Sequence, residues 1–124
     1  MTVDFVSIAV TESGLTAVVK EQCEDGATLP ALQKVVEGYV EALDLTHPET
    51  GSIATLWLNE DGKATGKPVN EFANLLAIVS GWRGPVWGDY IVGSVALTGF
   101  NPEEGETVSL PEEWHALIAR VAQV

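Results

Sequence analysis

Leu32-Gln33-Lys34-Val35-Val36-Glu37-Gly38-Tyr39-Val40-Glu41, followed by Trp57-Leu58-Asn59-Glu60-Asp61-Gly62-Lys63 and closing at Asn70, is the stretch from which the fold is read. It spells a helix, a glycine stop, two strands and a polar turn. Thr28 can cap the helix with Pro30 in its first turn, and Leu29, Leu32, Val35 and Val36 fall on one helical face. Gly38 ends it. Tyr39 to Leu45 alternates as a strand with Tyr39, Glu41, Leu43 and Leu45 on one side, His47-Pro48-Glu49-Thr50-Gly51 is a loop, and Ile53 to Asn59 is the next strand. Asn59 to Lys63 reads as a hairpin turn in which Gly62 takes positive φ at a bulge.

Outward from this stretch, Val3 to Val10 and Leu15 to Lys20 are β-rich segments around Glu12-Ser13-Gly14, which predicts an N-terminal hairpin followed by an acidic loop from Glu21 to Ala27. Asn70 predicts an N-cap for a helix over Glu71 to Val79, with Phe72, Leu75, Leu76 and Val79 apolar at helical spacing and Gly81 closing it. Trp82 to Gly88 is an irregular loop. Tyr90 to Phe100 reads as a long strand, with Gly93 marking a bulge or a close backbone approach. Ser109-Leu110-Pro111-Glu112 has capping-box spacing before a stripe of Trp114, Leu117, Ile118 and Val121. Strands and helices alternate without a regular βαβ repeat. The expected architecture is therefore one small α+β domain over residues 1–124, a mainly antiparallel sheet with two to three helices packed on it.

A chain of 124 residues with 46% hydrophobic content can build one core without disulfide or metal support. The lone Cys23 lies among Glu21, Glu24 and Asp25, where carboxylates disfavour a thiolate, and this suits a reducing cytoplasm. Met1 to Val10 carries Asp4 and no basic region, and no apolar run reaches membrane-spanning length, so neither secretion nor insertion is expected. Eighteen acidic against six basic residues give a formal charge of −12. Phosphate backbones are repelled by such a surface, which argues against direct nucleic-acid binding.

The order Leu32 to Glu41, Asn59 to Lys63, Lys67-Pro68-Val69-Asn70 with Ala73, and Gly88-Asp89-Tyr90-Ile91-Val92-Gly93 resembles a family named for its unknown function, domain of unknown function 3846, common in bacteriophages and mobile elements, including those of actinobacteria. The resemblance covers roughly half the chain. In the family pattern a second glycine often precedes the one matched by Gly38, where this chain has Glu37, and the loop from Ser80 to Gly88 departs as well. The resemblance implies a phage or prophage accessory protein acting in the bacterial cytoplasm. It implies no reaction.

Catalysis requires groups this sequence does not bring together. The two histidines, His47 in a proline loop and His115 beside the last apolar stripe, have no nucleophile at triad spacing. Asn59-Glu60-Asp61-Gly62 is too short a ligand series for an EF-hand, and no glycine-rich phosphate loop precedes a helix. No catalytic residue, metal or cofactor is expected. The strongest binding candidate is the Trp82 to Trp87 loop, where Trp82 and Trp87 flank Arg83, since Trp and Arg most often dominate interface energies. Asn59, Glu60 and Lys63 of the polar turn form a second candidate. The leading expectation is a non-enzymatic acidic module that binds a host protein, as a monomer or homodimer. Its alternatives are a protein that sequesters a small nucleotide and an inhibitor that mimics DNA.

Overall fold

A computed structural model describes residues 1–123. Strands β1 (Thr2–Val10) and β2 (Thr16–Glu24) pair antiparallel along their whole length, and Gly14 takes φ +89° in the turn between them. The expected acidic loop is in large part strand, because β2 runs on to Glu24. Alternation explains this: Glu21 and Cys23 are half-buried opposite Phe5 and Val3, while Gln22 and Glu24 stay in solvent, so the charges cost the strand little.

Helix α1 (Thr28–Val36) leads into β3 (Val40–Thr46), which forms an antiparallel pair with β4 (Ile53–Asn59). Then come α2 (Glu71–Val79), a 3₁₀ turn over Gly84–Trp87, β5 (Val95–Asn101), the short β6 (Glu106–Val108) and α3 (Glu112–Val121). The sheet order is β2-β1-β5-β4-β3, every pairing is antiparallel, and β6 flanks the end of β5 beside the place β1 occupies further back. The α+β architecture with an antiparallel sheet is what the sequence pattern indicates.

Period-two alternation divides the core between two faces. Val6, Leu97, Leu56 and Leu43 lie in one cross-strand row facing α2 and α3, where Leu76, Trp114, Leu117, Ile118 and Val121 bury against them. The other face carries Phe5, Ala96 and Trp57 beneath Leu32 and Val35 of α1. The buried threonines of this face each have a partner: Thr98 Oγ1 accepts from Trp57 Nε1 at 2.9 Å, and Thr55 Oγ1 donates to Asp44 Oδ1 at 2.9 Å. Each pair satisfies what burial would otherwise leave unpaired.

Several local expectations are corrected by long-range contacts. Thr28 is the first helical residue of α1 and not its cap; its hydroxyl donates to Asp25 O. Leu29 is exposed, and Tyr39 and Glu41 project into solvent, so only Leu43 and Leu45 of that set reach the core side of β3. Ser109 does not cap α3. Its hydroxyl instead accepts from Asp4 N–H at 2.9 Å, fastening the approach to α3 onto β1, and Pro111 begins the helix without a side-chain cap. The polar turn is not a hairpin: Gly62 lacks positive φ and is buried against Val92, where a Cβ would stand 2.9 Å from a methyl carbon. Successive turns carry the chain to Val69, which bridges Val92.

Helix α2 departs furthest from its expected face. Ala73, Leu76 and Ala77 are buried, Phe72 is half-buried, and Leu75 and Val79 face outward. Asn70 and Asn74 set this rotation. Asn70, fully buried, accepts from Ala73 N–H and donates to Ile8 O and Gly93 O. Asn74 donates to Ile91 O and accepts from Ile91 N–H, so a side chain adds to the single β-bridge that residues 90–94 make. The expected strand from Tyr90 therefore starts only at Val95, after Gly93 at φ +77°.

Candidate functional site

Asn59 stands at the end of β4 with both ends of its amide engaged. Its Nδ2 donates to Val36 O at 3.0 Å and to Glu37 O, and its Oδ1 accepts from Asp61 N–H at 2.8 Å. It caps the α1 C-terminus from across the sheet edge, which is a structural duty. Glu60 and Lys63 follow it and are exposed. Lys63 Nζ pairs with Asp89 Oδ1, and the same ammonium lies 5.2 Å from the centre of the Tyr90 ring. The turn is thereby tied to the loop that follows the tryptophan segment.

Trp82 leaves α2 with its N–H on Ala77 O and its indole half-buried against the core. Gly84 lies directly beneath that ring, where any Cβ would collide at 2.0 Å. Arg83 and Trp87 point elsewhere, and Trp87 is 84% exposed.

These contacts unite part of each candidate region around one pocket of about 330 Å³, in the lower range of small-ligand sites. Asn59, Glu60 and Lys63 line it together with Trp82, while Leu43, Leu58, Ile91 and Val92 supply apolar walls. Arg83 lies outside it, on a separate shallow groove of about 310 Å³ with Ile78, Pro85 and Val86. Trp87 lines neither. Glu41, Asp89 and Tyr90 complete the pocket without having been singled out as ligand residues. Glu41 could not be found locally, because β3 reaches the polar turn only through its pairing with β4; Asp89 and Tyr90 stood in a motif that carried resemblance and no recognisable chemistry.

The pocket is acidic. Glu41, Glu60 and Asp89 contribute three carboxylates against the single Lys63. A hydrogen bond from Lys63 holds the Asp89 carboxyl below its usual range, aided by the Tyr90 N–H and opposed by partial burial. An arriving anion would meet a lysine already neutralised and two further carboxylates; an arriving cation would meet aromatic faces and open acceptors.

A second polar cluster joins the β3–β4 loop to α3. His47 is buried, packs edge-on against Trp114 at 5.2 Å, and accepts at Nδ1 from Glu49 N–H and Thr50 N–H. Its proton is therefore on Nε2, which donates to Glu113 O at 3.1 Å. Arg120 pairs with Glu49 and lowers its pKa. Every group has a local partner, so the cluster fastens a helix. Among the described residues no group of three or more His, Cys, Asp or Glu side chains could hold a metal ion, and no helix is long and apolar enough to cross a membrane.

With this geometry in view, comparison with known families is decisive for kinship: the model described as Domain of unknown function (DUF3846) matches residues 6–122. The chain belongs to this family. No curated protein and no solved structure matches it. Within this DUF3846 chain the segments that carried the resemblance meet in space: the Asn59 to Lys63 turn, the Lys67 to Asn70 step and the Gly88 to Gly93 loop converge through the Lys63–Asp89 pair, the Val69–Val92 bridge and Asn70.

Proposed function

We propose that this DUF3846 protein is a non-catalytic interaction module that receives a basic side chain of a partner protein in the pocket between the polar turn and Trp82. One observation carries the reading: the pocket already holds a cation of the chain's own, Lys63, on Asp89 and the Tyr90 face, while Glu41 and Glu60 stand open beside it. A guanidinium is planar, weakly hydrated and suited to both aromatic faces and carboxylates. The formal charge of −12 would speed encounter with a basic partner and disfavour acidic ones. The setting implied by the resemblance, a phage or prophage accessory protein in the cytoplasm of a bacterial host, makes that partner a host protein.

The test uses a defined probe. Nα-acetyl-argininamide should change the tryptophan emission and its citrulline analogue, which lacks the charge, should not; the Glu41→Gln/Glu60→Gln variant should weaken the response by about tenfold. Equal responses to both probes, or none to either, would sink the reading. The nucleotide alternative draws on the same site, since Trp82 and Tyr90 could stack on a base and Lys63 could reach a phosphate. It requires a thermal shift with adenine or cyclic nucleotides that Lys63→Met abolishes. A DNA mimic would need a single acidic stripe, and the acidic residues here occur on helices, edge strands and loops throughout the chain.

A further inference from the structure

Lys63 is fixed at its backbone and loose at its tip. Gly62 before it is buried against Val92, Gly66 N–H donates to Lys63 O at 3.2 Å and Lys67 N–H to Gly62 O at 3.0 Å, so the turn holds without the lysine side chain. That side chain reaches across to Asp89, and both members of the pair are 49% exposed. A half-solvated ion pair is weak, and its side chains change rotamer rapidly.

What the ammonium covers matters more than how firmly it is held. It lies 5.2 Å from the centre of the Tyr90 ring, and its bond to Asp89 falls on Oδ1, the oxygen that also accepts from Tyr90 N–H at 2.8 Å. Among the described residues no hydrogen bond reaches Asp89 Oδ2. The Tyr90 face and the Asp89 carboxylate are the two features a guanidinium would use, one for stacking and one for a two-pronged bond. Lys63 already covers both. A second cation on the same ring would stand beside the first, where like charges repel.

We propose that Lys63 is a built-in competitor for the pocket, a step that rests on the pocket's reading as the seat of a partner's basic side chain. The ammonium holds the Tyr90 and Asp89 positions while the pocket is empty and swings into solvent when an arginine arrives; Glu41 and Glu60 keep the pocket attractive to that arginine meanwhile. Such an occupant lowers apparent affinity in proportion to the time the site stands vacant. A tethered group competes at an effective concentration on the order of millimolar, so free arginine and small amines are turned away while a partner with further contacts displaces it.

Lys63→Met keeps the stem and removes the charge. By tryptophan emission it should bind Nα-acetyl-argininamide about tenfold more tightly than the natural chain, with the melting curve little changed. In the natural chain, acetylation of Lys63 by sulfosuccinimidyl acetate, followed by peptide mass spectrometry, should quicken when argininamide is bound and not with the citrulline analogue, because the displaced amine stands open to the reagent. Unchanged or weaker binding by Lys63→Met would overturn the competitor and leave the pocket reading in place, as would acetylation that argininamide does not quicken. Binding by Lys63→Met alone would support the competitor and remove the response of the natural chain on which the pocket reading depends. No binding by either protein would overturn both. The nucleotide alternative predicts the opposite sign, a loss of binding in Lys63→Met.

Discussion

Glu37 ends α1 at φ +62°, the one non-glycine residue with positive φ among the described residues. A side chain in left-handed backbone costs about 1–2 kcal/mol, and the compensation, a 3.4 Å pair with Lys67 on a largely exposed carboxylate, is small. Glu37→Gly is expected to raise stability by about 1 kcal/mol in urea melts, while Glu37→Ala, which keeps the Cβ, is not. The sequence identified the stop but assigned it to Gly38. Gly38 is required for another reason: Asn59 lies against it, and a Cβ would stand 2.6 Å from the amide nitrogen. That demand comes from a residue beyond two strands, which no local reading of residues 32–41 contains.

Element ends and faces were legible wherever a segment's own pattern decides them. The α3 stripe and the Asn70 cap of α2 are formed as their spacing indicates. The buried face of α2 was not legible, because its rotation is fixed by Asn74 bonding to Ile91, an irregular residue seventeen positions later. The candidate pocket was hidden for the same reason: Lys63 and Trp82 belong to different loops, brought together by long-range contacts such as the Lys63–Asp89 pair. That junction should show a signature in acid. The folded Asp89 carboxyl titrates below its ordinary value, so its contribution to stability is complete above the unfolded pKa, near 4, and is lost as pH falls through the lower folded pKa. Asp89→Asn should therefore lower stability at neutral pH and flatten the acid limb, the two proteins converging at the lowest pH in denaturant melts. Because the pair is half-exposed, the effect should be small and salt-sensitive.

For the whole molecule, the balance of charges decides how it responds to salt. Three ion pairs are present among the described residues, all at least partly solvated, against a formal charge of −12. Screening weakens both attraction and repulsion, and the uncompensated repulsion is the larger. The melting temperature is expected to rise by a few degrees between low salt and about 0.15 M; a fall would mean that the ion pairs dominate.

Sheet order has a consequence for how the protein is made. The strand that joins the β1–β2 and β3–β4 hairpins is β5, encoded after all four of them. A ribosome therefore delivers two hairpins whose inner edges stay open until Val95–Asn101 emerges, and during that interval Val6, Ile8 and Leu56 lack the strand that will separate and cover them. Unpaired edges of this kind recruit other strands. The growing chain is most exposed to misassembly just before its central strand arrives, and the arrival of β5, more than any single helix, is what closes the sheet.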